Sequence, residues 1–211
     1  MSSHLLATFG PLVLLYLAFW LWYGGNGRPM STEEIEEALN KLRSTDPAHN
    51  NSAEVDDIRQ LLASDDGKEF VMQNLVRYRA KALYPEGSTY SDDPREADKR
   101  YGKSIIGDLL RYGNLLIFIA RKSGDFVNPE GADAWHYVAM VRYRSRRDFV
   151  RFAIRANQAD KFMHKWAAIE KTHVFPVKPL INLFAVRTLV ALFLFSLGVI
   201  ALLGVIALSL G

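Results

Sequence analysis

Seven side chains in the middle of this 211-residue sequence are of types that hold small molecules: Asn74, Tyr78, Tyr101, Trp135, His136, Arg142 and Tyr143. An amide, phenols and a guanidinium offer hydrogen-bond donors in different directions, a set suited to a small carbonyl or carboxylate ligand. Asn74 and Tyr78 have the same parity in an alternating stretch, so they point to one side of a strand. Tyr101, on a helix expected to cover that side, can join them, whereas the side met by His136 and Arg142 depends on strand register. The competing expectation is that these groups satisfy one another at a dimer interface or face solvent.

Other chemistries are excluded or weak. The sequence has no cysteine, which removes thiolate nucleophiles, disulfides, iron–sulfur clusters and cysteine-type zinc sites. Its five histidines, His4, His49, His136, His164 and His173, show no i,i+4 pair and no His-Glu-x-x-His, so no metal or haem cofactor is expected. Gly102-Lys103-Ser104 imitates the end of a Walker loop, but Ala97 occupies the place of its first glycine and the stretch lies in a helical pattern. No Gly-x-Ser-x-Gly elbow is present.

The elements that must position these side chains follow from periodicity. Ser31 with Glu34 has the capping-box form and opens a helix ending near Arg43, and 53–63 is a second short helix after a loop at 46–51. Asp65-Asp66-Gly67 turns the chain into an alternating strand at 70–79. A helix is expected at 94–112, stopped by Gly113, then strands at 114–120 and 135–143 joined by a Gly/Pro loop. Helical pieces at 145–156 and 159–171 precede a last short strand at 172–177. The order is β-α-β-β-α-β after a helical preface, which predicts an α+β, ferredoxin-like domain.

The charges place this domain between two membrane segments. Lys and Arg number 26 and Asp and Glu 23, yet none lies within 1–23 or 188–211. Mean hydropathy near zero therefore averages unlike parts. The uncharged run 5–23 is 19 residues, which at about 1.5 Å per helical residue covers about 28 Å, the thickness of a bilayer's hydrocarbon core. Phe19, Trp20, Trp22 and Tyr23 at its end suit a headgroup boundary, and Gly24-Gly25-Asn26-Gly27-Arg28-Pro29 breaks the helix. Met1-Ser2-Ser3-His4 lacks the basic residues of a signal peptide, so a retained anchor is expected.

The second span starts near Val186, with Arg187 at its edge, where the stem can snorkel to the headgroups, and 24 uncharged residues after it. Gly198, Ala201, Gly204 and Ala207 allow close helix contact there. The expected divisions are a first span at 1–23, a linker and preface at 24–69, the domain at 70–180 and a second span at 186–211. Two spans flanking one domain put both termini on the opposite side from it. Arg28, Lys171, Lys178 and Arg187 beside the membrane make that domain cytoplasmic by the positive-inside tendency.

Within that domain, FVMQNLVRY at 70–78 resembles the M-x-N-L-x-R-F/Y first strand of small, mostly uncharacterised domains of the dimeric α+β barrel superfamily. Tyr101 with the helix ending in Tyr112-Gly113 is similar to that family's Y…L…G segment, and WHYVAMVRYRS at 135–145 to its W-D-x-V-x-L-V-R-Y-P-S strand. His136 stands where Asp is usual and Arg144 where Pro is usual. The resemblance covers roughly 70–177. It implies pairing of domains through their sheets, and relatives that include EthD-like proteins, antibiotic-biosynthesis monooxygenases, muconolactone isomerases and haem-degrading enzymes. One such fold serves many chemistries.

Charge is also segregated. Residues 31–66 hold ten acids and three bases, whereas 142–165 hold eight bases and two acids. Arg146, Arg147, Arg151, Arg155, Lys161 and Lys165 are thus expected to contact anionic lipid headgroups or a partner subunit. Phe149, Phe152, Phe162 and Trp166 interleave with them at helical spacing, the pattern of a core rather than of base-stacking platforms, so no nucleic-acid partner is expected. These observations point to a membrane-anchored assembly or accessory protein, a homo-oligomer or a subunit docked on a larger membrane complex. The alternatives are a membrane-bound cofactor-independent monooxygenase or isomerase acting on a lipophilic molecule, and a small-ligand binding module. No convergent acid–base pair is legible for the enzyme reading.

Overall fold

In the computed structural model, which describes residues 2–24, 27–45, 52–127, 130–180 and 186–210, the chain is a mixed α+β protein. The expected loop at 46–51 and part of the helix break at 25–26 lie outside the described residues. The elements run α1 (Ser2–Gly24), α2 (Thr32–Thr45), α3 (Ser52–Ala63), β1 (Phe70–Tyr78), α4 (Pro94–Arg111), β2 (Leu115–Arg121), β3 (Tyr137–Tyr143), α5 (Arg146–Ala156), α6 (Ala159–Ala168), β4 (Ile169–Val177) and α7 (Val186–Leu210). The chain divides into two units, one of residues 1–24 with 179–211 and one of residues 25–178.

In the first unit, α1 and α7 are each long and apolar enough to cross a membrane. They run antiparallel. Phe9 lies against Phe195, with ring centroids 6.1 Å apart, and against Gly198, where an added Cβ would collide with the Phe9 ring. At the other end of the pair the Arg187 guanidinium lies 4.6 Å from the Trp20 ring centre and 5.1 Å from that of Tyr23. Arg187 thus sits level with the aromatic end of α1, its cation over the ring faces. Of the small residues on α7, Gly198 serves this contact within the chain, while Gly204 has no neighbour within 4 Å of where a Cβ would be.

In the second unit, four antiparallel strands form one sheet in the order β2-β3-β1-β4. Paired residues share a face, so register sorts the side chains. Phe70 faces Tyr143, Met72 faces Val141, Asn74 faces Ala139 and Val76 faces Tyr137, all toward the helices. Phe70, Met72 and Tyr143 pack with Leu109 of α4 and Phe152 and Ala156 of α5, and Val76 packs with Ala97 of α4 and with Ala167, Ala168 and Ile169 at the α6–β4 junction. Val71, Leu75, Val138, Met140 and Phe175 turn the other way and join none of these clusters.

The preface belongs to the same unit. Ser31 N–H donates to Glu34 Oε2 at 2.9 Å and Glu34 N–H donates to Ser31 Oγ at 3.3 Å, a reciprocal cap that starts α2. Ala38, Leu39, Val55 and Leu62 then bury their side chains against Val150 of α5. Full burial of each large aliphatic side chain is worth about 1.5–3 kcal/mol. Some expected boundaries move. β3 starts at Tyr137, not 135, α6 ends at Ala168, not 171, and β4 starts at Ile169, not 172. Arg79 and Leu83 N–H donate to the carbonyls of Ala168 and Ala167 at 2.9 and 3.0 Å, taking the acceptors that another helical turn would use, and Ile169 pairs with Tyr78.

Asp108 ties the helical layer together. It accepts from Arg155 Nε of α5 and Lys161 Nζ of α6, each at 2.7 Å. Burial alone would raise this carboxyl, but the Lys161 and Arg155 hydrogen bonds and charges outweigh it and hold its pKa below the ordinary carboxylate value. A depressed carboxyl pKa stabilises the fold above the unfolded-state value, and that contribution disappears as pH falls through the folded-state value. Asp108→Asn is therefore expected to lower the melting temperature at neutral pH and to flatten its fall below about pH 4. Thermal unfolding of the detergent-solubilised chain across pH measures both; parallel curves for wild type and variant would disprove the tie.

Candidate functional site

A cleft of about 670 Å³ opens on the helix-covered side of the sheet, between the first half of α4 and the ends of β1, β2 and β3. The sheet supplies Tyr78, Ile119, Arg121 and Tyr137. The first turns of α4 supply Arg95, Asp98 and Lys99, and the β2–β3 connection supplies Lys122, Gly124, Asp125, Trp135 and His136. Local signals explain the placement. Asp93 caps α4 by accepting from Arg95 N–H at 2.8 Å, and Pro94 stands where its missing N–H costs nothing. From that start, Arg95, Asp98 and Lys99 fall at i, i+3 and i+4 on one helix face.

The floor is a carboxyl between two phenols. Tyr78 OH donates to Asp98 Oδ2 at 2.8 Å and Tyr137 OH donates to Oδ1 at 3.3 Å, with the tyrosine rings 5.4 Å apart. Among the described residues no cation lies at ion-pair distance from Asp98. Burial raises its pKa, and the two phenolic hydrogen bonds offset only part of that. Burial and the Asp98 charge push the Tyr78 and Tyr137 phenols up as well, so both stay protonated donors. Beside them the Tyr78 N–H donates to His136 Nδ1 at 3.0 Å, which places the proton of the neutral imidazole on Nε2. Backbone bonds from His136 N–H to Val76 O and from Lys122 N–H to His136 O pin that segment.

The mouth is cationic. Arg95, Lys99 and Arg121 are exposed and, among the described residues, form no ion pair, whereas Lys122 pairs with Asp125. The charges of Arg95 and Arg121 both reach the Tyr78 hydroxyl, opposing the rise that burial causes. Ile119 is 59% exposed and contributes apolar wall, with Trp135 and the Tyr78 ring. A smaller cleft of about 380 Å³ adjoins it and shares Tyr78, Arg95 and His136. The Nε2 donor and the cationic mouth can bind an acceptor-rich anion, and the carboxyl of raised pKa beneath them, bridged by two phenols, can exchange a proton with it.

Of the seven candidates, Tyr78, Trp135 and His136 line this cleft and the other four do not. Asn74 Nδ2 donates to the Met72 and Ala139 carbonyls at 3.2 and 3.4 Å, within its own sheet. Tyr143 stacks on Phe70 at 5.4 Å and meets Phe149 edge-on at 5.0 Å, so it is core. Tyr101, on α4 itself, has its phenol raised by burial and lies off the cleft wall. Arg142 pairs with Val71 on the opposite face, where its guanidinium donates to Glu69 and, at 2.8 Å, to Gly113 O. Asp98, Tyr137, Arg95, Lys99 and Arg121 were missed. Tyr137 shares the parity of Tyr143, and Asp98 extends the Tyr101–Ile105–Leu109 stripe as an acid on an apolar face; both signals were present but needed the strand register.

The basic block is also placed. Arg147 is buried and donates to the Arg28 and Pro29 carbonyls at 2.9 and 3.0 Å and to Glu34 Oε2 at 3.0 Å. Arg146 lies 3.4 Å from Asp66 Oδ1 and over the Phe70 ring. Arg155 and Lys161 hold Asp108, Arg151 reaches Asp148 at 3.5 Å, and Lys165 lies over the Phe162 and Trp166 rings. This corrects the expectation for Arg146 and Arg147: the acidic preface is their partner within the same chain, because α2 and α3 pack directly on α5. Among the described residues no group of three or more His, Cys, Asp or Glu side chains is placed to hold a metal.

No family model matches the sequence, and a search of curated proteins finds no match. Among solved structures, a protein of unknown function from Rhodopseudomonas palustris is similar at 25% identity and a TM-score of 0.51, over 63% of this chain and 95% of its own. The methylated form of that protein gives 25% identity and a TM-score of 0.52, over 63% and 93%.

Proposed function

We propose that this is a membrane-anchored assembly or accessory protein whose central domain, of ferredoxin-like arrangement, pairs with a second copy through its sheet or docks on a larger membrane complex. The carrying observation is the sheet face turned away from α4, α5 and α6. Leu75, Val138, Met140 and Phe175 lie there outside the core clusters, an apolar surface that a second sheet would cover. The strand order β2-β3-β1-β4 supports the ferredoxin-like reading, as do the motifs at 70–78 and 135–145 that resemble dimeric α+β barrel domains. The antiparallel pairing of α1 and α7 supports two passes with both termini on one side. The basic residues flanking the spans support a cytoplasmic domain.

The mass of the full chain in detergent, from light scattering, is expected to be at least twice that of one polypeptide. Met140→Lys, which sets a charge in the middle of the proposed interface, is expected to reduce it to one copy without lowering the melting temperature. A wild-type monomer, or a variant that stays oligomeric, would remove the pairing.

A further inference from the structure

We infer that the cleft between α4 and the β1–β3–β2 strand ends is a binding site for a small amphiphilic organic anion. Arg95, Lys99 and Arg121 meet the anionic group, and Ile119, Trp135 and the Tyr78 ring carry its apolar body. The inference does not depend on whether the domains pair.

Three observations carry it. First, the cleft's 670 Å³ lies within the range of about 300–1,000 Å³ that small-ligand pockets occupy. Second, three unpaired cations gather at its mouth. Arg77, Arg142, Arg144, Arg146, Arg147, Arg155, Lys161 and Lys171 are held by acidic partners, and cations such as Lys103 and Arg111 form no ion pair either, but Arg95, Lys99 and Arg121 line one cleft and none of the three has an acidic partner among the described residues. Like charges gathered at one concave, low-dielectric surface repel each other and concentrate a counter-ion. Third, the acid on the cleft floor does not supply that counter-ion. Asp98 accepts from the Tyr78 and Tyr137 hydroxyls and, among the described residues, forms no ion pair, so the mouth is left for a ligand.

The same features select the ligand class. A cation is repelled, a neutral apolar molecule leaves three charges unmet, and inorganic phosphate leaves Ile119, 59% exposed, and the aromatic wall wet. An aromatic acid from solution and a fatty acid from the membrane share the required chemistry. The test uses the full chain in phosphatidylcholine nanodiscs, with empty discs as the blank. The probes are 2-naphthoate, decanoate and neutral 2-naphthol, measured by equilibrium dialysis.

At least one of the two acids is expected to bind one per chain, at least tenfold tighter than 2-naphthol. The double variant Arg95→Gln with Arg121→Gln is expected to weaken it at least tenfold, and Arg95→Lys with Arg121→Lys to restore most of the binding. Both arginines are exposed, so the fold does not rest on them. Preference for 2-naphthoate identifies a soluble aromatic acid, and preference for decanoate a membrane-derived one. Binding no tighter than that of 2-naphthol, or indifferent to the Gln substitutions, would overturn the inference.

Discussion

Gly67→Ala is expected to lower the stability of the central unit by about 3 kcal/mol or more, a fall of roughly 10 °C in melting temperature. Gly67 closes the Asp65-Asp66-Gly67 turn with φ of +71°, a region that costs a side-chain-bearing residue about 1 kcal/mol. The larger part is steric. A Cβ there would come within 2.6 Å of Gly27 C and 2.8 Å of Arg28 C, and a backbone neighbour cannot swing aside as a side chain can. Gly87→Ala supplies the control. Its φ is +80°, but nothing lies within 4 Å of the new Cβ, so it should lose only the backbone part. Equal losses for the two variants would show that the close approach of 27–28 to the turn is not what requires glycine at position 67.

Arg147→Ala is expected to cost about 3 kcal/mol, because it strands two backbone carbonyls that accept from a buried guanidinium. Arg28 O and Pro29 O lose their donor, and Glu34 loses the partner that, together with the Ser31 N–H, holds its carboxyl below the usual range. Hydrogen exchange should then rise along α2, which that side chain pins to α5, before it rises in the sheet. Arg147→Lys should recover only part of the loss, since an ammonium cannot span acceptors on two carbonyls and a carboxylate as the planar fork does. Arg147 is only 7% exposed, so a loss of binding to anionic vesicles with unchanged stability would contradict its place in the structure.

Beside these long-range contacts lie local ones for which the residues alone were sufficient. The Asp65-Asp66-Gly67 turn and the Ser31–Glu34 cap are local: each is made by groups within three positions of one another, so composition and spacing carry the whole interaction. The apolar ends were equally legible, because a span's length and lack of charge need no knowledge of what packs against it. Alternation at 70–78 and the apolar stripe of 94–112 likewise marked the strand and helix that build the cleft.

The cleft itself was not legible. Asp98 and Tyr78 are 20 positions apart and Asp98 and Tyr137 are 39 apart, and their meeting depends on β1 pairing with β3 so that Val76 stands opposite Tyr137. A shift of one residue in that register would send Tyr137 to the other face, as it sends Arg142 now. Charge runs in blocks along the sequence, but electrostatic pairing follows distance in space, and the packing of α2 and α3 on α5 turns acids at 34, 65 and 66 into partners of Arg146 and Arg147. The amino-acid order by itself determined the two apolar helices long enough to cross a membrane, the elements and their caps, since these rest on contacts within a turn or on bulk hydrophobicity. Which cations stay unpaired, which acid lies between two phenols and which sheet face is left apolar were decided by the tertiary structure, because each depends on a long-range pairing that no local spacing encodes.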